Sequence, residues 1–297
     1  MSSGDRVLEV GDAASTLQLG REGDAGVAAA VAGSGTSFYW AMKLLPAPRR
    51  AAMFAIYAFC RAVDDIVDEP GSQAQKESAL SEWRQEIDRV YRGQPTTAIG
   101  RQLALAVERF DLQRDDFLAV IDGMAMDAGA PLRGPSLAEL DLYCARVACA
   151  VGLLSVRVFG APTEAGQRVA HALGRAFQLT NILRDLAEDA ALGRLYLPHE
   201  LLARHGIDTR DPWAAIRHPA LPAVCDEVAA MAERRFAEAP LAMSQCPAGS
   251  MRPARVMMAV YQRILRRLKA RGWQRPEEPV SLAKLTKLYI ALRYGLL

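Results

Sequence analysis

The stretch Arg61-Ala62-Val63-Asp64-Asp65-Ile66-Val67-Asp68-Glu69 decides how this chain is read. It follows Met53, Phe54, Ile56, Tyr57 and Phe59, so an apolar helix ends in a burst of like charge. Helical residues four apart share a face, which stacks Asp64 and Asp68 with Asp65 beside them. Carboxylates set in an apolar helix need a partner, because burying them unpaired is costly or raises their pKa. A divalent cation meets that need. Magnesium takes a few carboxylate oxygens, keeps some waters and uses substrate phosphates for the rest. Alone, the pattern is a weak signal that also suits a solvated helix end.

A second row strengthens it. Gln178, Asn181, Asp185 and Asp189 are spaced to lie on one helix face, and Arg184 sits beside them. Asn and Asp are poor mid-helix residues. Amide, carboxylate and arginine on one stripe suit a hydrated metal–phosphate site, with arginine gripping phosphate through two N–H groups. The competing reading is a solvated face with ion pairs among Arg184, Asp185 and Glu188. Two such helices facing each other would hold a diphosphate through bridging metal ions.

Working outward, the periodicity is helical from Phe38 on. Pro46-Ala47-Pro48 opens the acidic helix and Pro70-Gly71 closes it. A second helix shows Leu80, Trp83, Ile87 and Val90 on one face and stops at Gly93, and others are expected over roughly 97–109 and 115–128. Ser136 with Glu139 forms a capping-box pattern for a long helix to about Phe159. Gly160-Ala161-Pro162 breaks it, and Thr163 caps the next, to about Asp189. Further helices fit 222–238, 253–271 and 281–293. With no alternating strand, repeat or composition shift, the expected fold is all-α. It is a single-domain bundle over 35–297 behind a flexible leader, 1–34.

Composition narrows the function. The chain has 297 residues, 51% of them hydrophobic, and a net charge of +2, so no strong field draws it to nucleic acid. Five cysteines, odd in number and without a Cys-x-x-Cys, suggest neither a disulfide framework nor a zinc site. Reduced thiols in the cytoplasm are the simplest expectation. No secretory signal is visible, and no apolar stretch is read as long enough to cross a bilayer. The basic residues Arg263, Arg266, Arg267, Lys269, Lys284, Lys287 and Arg293 suit either a solvated face or peripheral contact with anionic lipid at the inner membrane face.

The motifs resemble the squalene/phytoene synthase family over nearly the whole chain after Ser34. Ser37-Phe38-Tyr39 and Leu44-Leu45-Pro46 are similar to its opening segment. Tyr57-Ala58-Phe59-Cys60-Arg61 leading into Asp64-Asp65-Ile66-Val67-Asp68 resembles its first aspartate motif. Gln178 through Asp185, followed by Glu188-Asp189 and Gly193-Arg194-Leu195-Tyr196-Leu197-Pro198, resembles its second. Ile121-Asp122-Gly123-Met124-Ala125-Met126-Asp127 and Leu142 through Gly152 are most similar to the bacterial branch that makes presqualene diphosphate for squalene and hopanoids. Cys149 departs there from a glycine of many relatives.

The resemblance implies an isoprenoid-synthase bundle with a central apolar cavity. It implies a prenyltransferase that joins two farnesyl diphosphates head to head, releasing diphosphate. Magnesium, with manganese as an alternative, would be held by Asp64, Asp65, Asp68, Asn181, Asp185 and Asp189; NADPH is not expected. Ser37, Phe38, Tyr57, Arg61, Gln178, Asn181, Arg184 and Tyr261 would bind substrate. Tyr143 would stand near the proton lost in closing the cyclopropane, relaying it or orienting the diphosphate that removes it. An ordinary tyrosine, with a pKa near ~10, is a poor base. For Tyr143 and Tyr261 the plain alternative is a core aromatic bonded to a helix carbonyl. Phe38, Phe54, Tyr57, Val147, Val151, Leu154, Phe177 and Leu179 are candidates to line a dry prenyl tunnel, with plain core the preferred reading for any one of them. Besides farnesyl diphosphate, membrane lipid and downstream pathway enzymes are the partners in view.

Three alternatives remain at this stage. One is a sister enzyme making phytoene, dehydrosqualene or, with NADPH, squalene. Another is a single-substrate terpene cyclase. The third is a non-catalytic prenyl-lipid-binding helical protein.

Overall fold

The computed structural model describes residues 42, 45–129 and 131–295. The proposed leader, Ser37 and Phe38 lie outside the described residues. Thirteen α-helices and one π-helical turn account for the regular structure, and a single bridge, Arg133 to Leu195, is the only β pairing among the described residues.

The first helix, α1 (Ala47–Asp68), starts after Pro46 and buries Met53, Ile56, Phe59, Val63 and Val67. A capping box of Ser72 and Gln75 opens α2 (Gln73–Tyr91), and Thr97 caps α3 (Ala98–Phe110). Next come α4 (Arg114–Ala128) and α5 (Leu137–Cys144), the latter opened by the Ser136/Glu139 box. A π-helical turn (Ala145–Cys149) carries α5 into α6 (Ala150–Phe159). Gly160, in the left-handed region at φ 86°, ends α6, and Thr163 caps α7 (Glu164–Arg184). The short helices α8 (Leu186–Ala191), α9 (His199–Arg204) and α10 (Pro212–Ile216) follow. The chain ends in α11 (Leu221–Ser244), α12 (Arg252–Arg271) and α13 (Lys284–Gly295). The central rod is α7, which packs on α6, α11, α12 and the π-helical turn.

Four boundaries differ from expectation. The long 136–159 helix contains the π turn. Gly123 and Gly174 flank that turn: a Cβ on Gly123 would lie 2.6 Å from Val147 Cγ1, and one on Gly174 would lie 2.7 Å from the Cys149 backbone. Side-chain-free positions on α4 and α7 therefore clamp the widened turn from both sides. The helix expected to reach Asp189 breaks at Asp185. The bonds Asp185 N–H to Asn181 O (2.9 Å) and Asp189 N–H to Asp185 O (2.8 Å) carry the helical register across the break. α9 and α10 are too short to leave a periodic signal. α11 runs through Pro240 to Ser244, because Ala239, Ala242 and Met243 are buried and packing outweighs the missing N–H.

One expectation is overturned. The run Leu137–Phe159 is long and apolar enough to cross a membrane by length and composition. Half of its most apolar window is buried inside the fold, where it forms a wall of the core, so its apolarity serves packing.

A buried acid ties α2 to α3. Glu86, 2% exposed, accepts hydrogen bonds from the Thr96 and Thr97 N–H groups (2.9 and 2.8 Å), their hydroxyls and Arg89. Burial works to raise its pKa, but these donors outweigh it and hold the group at about 2, against 4.5 ordinarily. The depressed pKa makes its ionised form stabilising above the ordinary value, and that contribution is lost as pH falls through the folded one. Glu86→Gln should therefore cost about 1–3 kcal/mol at neutral pH. In denaturant melts, the gap between wild type and variant should close as pH falls from 4.5 toward 2.

Candidate functional site

A cavity of about 520 Å³ runs between α1, α4, the π turn, α6, α7, α12 and α13. Its walls are mostly apolar, and its charged lining residues gather at one end. Arg61 and Asp64 come from the last turns of α1, and Gln178, Asn181 and Arg184 from the last turns of α7. Lys287 of α13 joins them. Both acidic helices thus end at the same place.

Arginines organise the carboxylates there. Arg61 pairs with Asp64 (3.4 Å) and Asp65 (2.7 Å). Arg184 grips Asp185 with two hydrogen bonds of 2.6 and 2.5 Å. Arg194, 8% exposed, donates to Asp68 (2.7 Å) and to the Val67 carbonyl (3.0 Å), and its backbone N–H bonds the Asp189 carbonyl (2.8 Å). One guanidinium therefore fastens the end of α1 to the turn after α8.

Charge is not fully balanced. Burial, then Asp68, raises the Asp64 pKa to about 6. Burial, then Asp185, raises that of Asp189 to about 8, with Arg194 only partly offsetting them. Asp65 is also raised, chiefly by burial. The Asn181 Oδ1 is buried with no hydrogen-bond partner. Hard oxygen ligands left short of positive charge fit a divalent cation that completes its shell with water and phosphate. Among the described residues no three acidic, histidine or cysteine side chains form a ready cage.

Behind this end lies a second, buried network. Tyr143 donates to Asp127 Oδ2 (3.0 Å) and stacks on Tyr196 with ring centroids 4.9 Å apart. Burial raises the Asp127 pKa, while Arg194 and the two tyrosines act to lower it. Burial pushes the Tyr143 hydroxyl well above its ordinary value. Tyr143 is bonded to a carboxylate rather than a helix carbonyl, and it is absent from the cavity lining. Tyr261 does line the cavity, stacked on Phe177 at 4.3 Å. Burial raises its pKa, opposed by Arg184 and by a hydrogen bond from Asn181.

The structure brings Tyr57, Arg61, Asp64, Gln178, Asn181, Arg184 and Tyr261 to the cavity, and keeps Asp65, Asp68, Asp185 and Asp189 just outside its lining. Of the tunnel candidates, Tyr57, Val147, Val151 and Phe177 line it. Leu154 and Leu179 are buried core, and Phe54 is partly buried against that core. For these three the plain-core reading holds, because neighbouring side chains rather than the void lie against them. Sequence reasoning missed Asp127 and Tyr196 as a pair, and Arg194 as the bridge. Arg194 and Tyr196 stood inside a recognised motif, but nothing local signalled their partners.

The family model described as squalene/phytoene synthase matches residues 31–287. The chain is 47% identical over 262 residues to the presqualene diphosphate synthase of Rhodopseudomonas palustris, covering 88% of this chain and 94% of that one. It is 33% identical over 258 residues to the chloroplastic phytoene synthase 2 of Solanum lycopersicum, covering 85% and 83%. A crystal structure of a dehydrosqualene synthase in complex with ligand superposes with a TM-score of 0.80 at 24% identity, covering 95% and 98%, and so shares the fold.

Arg194→Ala should leave Asp68, whose side chain is 39% exposed, beside like charge without its cation and cost about 1–3 kcal/mol. Urea melts at neutral pH would check this. A loss below about 1 kcal/mol would place the guanidinium among exposed surface pairs instead.

Proposed function

The chain belongs to the squalene/phytoene synthase family, and from that premise we propose that it condenses two farnesyl diphosphates head to head into presqualene diphosphate, releasing diphosphate. The single observation that carries the reading is the cavity with one charged end and a long apolar body. One molecule must lose its diphosphate as an allylic cation, and its tail must be kept from water until the double bond of the second attacks.

The residues divide that work. Arg61 and Arg184, already at the cavity, would meet phosphate oxygens. Asp64, Asp68, Asn181, Asp185 and Asp189 would hold magnesium, or manganese, with Asp65 the outer member of the group. When bound, the metal supplies Lewis-acid stabilisation of the departing diphosphate. Gln178 and Tyr261 would orient the diphosphate beside Asn181. Tyr57 and Phe177 offer ring faces to passing positive charge. Tyr143, held as a donor by Asp127 with a raised pKa, is unsuited to taking a proton. The released diphosphate is the better acceptor, and Tyr143 with Tyr196 keeps Asp127 in place. Ser37 and Phe38 remain part of the proposal through family resemblance alone.

No hydride donor enters this condensation. Purified protein given farnesyl diphosphate and magnesium, without NADPH, should accumulate presqualene diphosphate. Asp64→Ala and Asp185→Ala should each lose nearly all turnover while keeping a wild-type circular dichroism melt. Dehydrosqualene, a cyclised fifteen-carbon product, or full activity in either variant would overturn the assignment.

A peripheral membrane contact follows from a separate observation. α12 carries seven Lys and Arg residues and α13 three, with no Asp or Glu in either, on a chain whose net charge is only +2. The same two helices wall the cavity, and Tyr289, Leu292 and Tyr294 of α13 are exposed. Basic charge with exposed aromatic and aliphatic side chains suits the anionic inner leaflet. The protein should co-sediment with phosphatidylglycerol/phosphatidylcholine vesicles but not with phosphatidylcholine alone. Tyr289→Ser with Leu292→Ser should release it; equal binding by the double variant would refute the surface.

A further inference from the structure

We propose that a second cavity, on the side of α7 turned away from the main one, binds a small organic phosphate, with the phosphate head on Arg234 and Arg235 and a short apolar body on the leucines beneath them. The cavity holds about 220 Å³ and lies between α5, α7 and α11. α5 and α11 each line it with positions spaced three, one and three apart, which is a single helical face. α7 contributes Arg175 and Leu179. At about 100° per residue these stand nearly opposite Phe177 and Asn181, which face the main cavity. One helix therefore separates two cavities, and the synthase reading above uses only the first.

The lining has a dry floor and a basic rim. Leu140, Cys144 and Leu179 are buried in the floor, while Leu137 is 38% exposed. Three arginines meet two carboxylates. Arg175 is already committed: its Nε and Nη2 hold Asp141 at 2.6 and 2.7 Å, and its Nη1 reaches the Cys149 sulfur at 3.3 Å. The Arg175 hydrogen bonds hold the Asp141 carboxyl below its ordinary pKa, and Arg235 acts in the same direction. Asp141 is thus satisfied without consuming the rim.

The other two guanidinium groups are not used up. Arg235 touches Glu238 through Nη1 alone, at 3.2 Å from each oxygen, which leaves its Nε and Nη2 over. Arg234 makes no ion pair among the described residues. Neighbouring guanidinium groups that outnumber one loosely held carboxylate suit phosphate, which arginine grips through two N–H groups. The leucines and Met231 reward an apolar body rather than a bare ion. With about 220 Å³ against about 520 Å³, that body is far shorter than a chain that fills the main cavity. The head meets protein cations directly, so binding needs no divalent metal.

Isothermal titration of the full chain in EDTA tests this, with isopentenyl diphosphate as probe beside inorganic diphosphate and isopentenol. Isopentenyl diphosphate should bind at least about tenfold more tightly than inorganic diphosphate, which lacks the apolar body, and isopentenol should give no detectable heat. Arg234→Glu with Arg235→Glu should weaken the probe at least about tenfold while keeping a wild-type circular dichroism spectrum. Arg61→Ala, at the mouth of the main cavity, should leave this affinity unchanged. If the double variant fails to fold, Arg234→Ala carries the test with a smaller loss. No binding by wild type, or equal affinity in a folded rim variant, overturns the site. Loss in Arg61→Ala instead puts the probe in the main cavity and overturns it too. Equal affinity for inorganic diphosphate overturns the apolar body. None of these results touches farnesyl diphosphate turnover, so the synthase reading stands or falls separately.

Discussion

At the charged end one buried guanidinium ties the two acidic helices to each other. Arg194 reaches Asp68 on α1 while its own backbone N–H holds the Asp189 carbonyl. Without such a cation, two helices carrying several carboxylates would repel each other across a medium that screens charge poorly. With it they converge, yet positive charge remains in deficit: Asp64 and Asp189 are both pushed toward protonation by burial and by neighbouring carboxylates. The site is held together but left short of positive charge, which supports the proposed joint binding of metal and diphosphate.

The apolar body of the cavity depends on close helix crossings. Gly123 and Gly174 admit the π turn between α4 and α7, and a Cβ on Gly152 would lie 3.1 Å from Ala170. These contacts bring Val147, Ala148, Val151 and Gly152 to the void from one helical run. π-Helical turns are rare in general and frequent at functional sites, where they re-aim side chains. Cys149 occupies this turn, and its sulfur would be 2.8 Å from a Cβ at Gly174. The larger residue at 149 is accommodated because 174 has no side chain.

Much was legible in the chain. The capping residues Ser136 and Thr163 placed helix starts within a residue, because a cap is a local hydrogen bond written in adjacent positions. Gly160 marked an end for the same reason. The two acidic rows, with Arg61 and Arg184, were readable because helical periodicity alone decides which residues share a face. Asp127 and Tyr196 were not readable as a pair, since they stand far apart in the chain and meet only through Tyr143 and Arg194. The tunnel candidates divided: Val147 and Phe177 face the void, while Leu154 and Leu179 of the same two helical stretches are core. Periodicity identifies an apolar face but not whether a neighbour or a space lies against it. The apolar run 137–159 shows the same limit, for its hydrophobicity serves a core wall.

By itself the sequence determined the helical class, the order of the elements, the two carboxylate rows and the family, because caps, breakers and face spacing are short-range properties. The tertiary structure alone decided that those rows end at one mouth, that Arg194 joins them, and that Tyr143 answers to Asp127. Each of these is a meeting of residues from different helices. Where helices meet is set by the summed packing of many side chains and by glycine-permitted approaches, which no single stretch of chain contains.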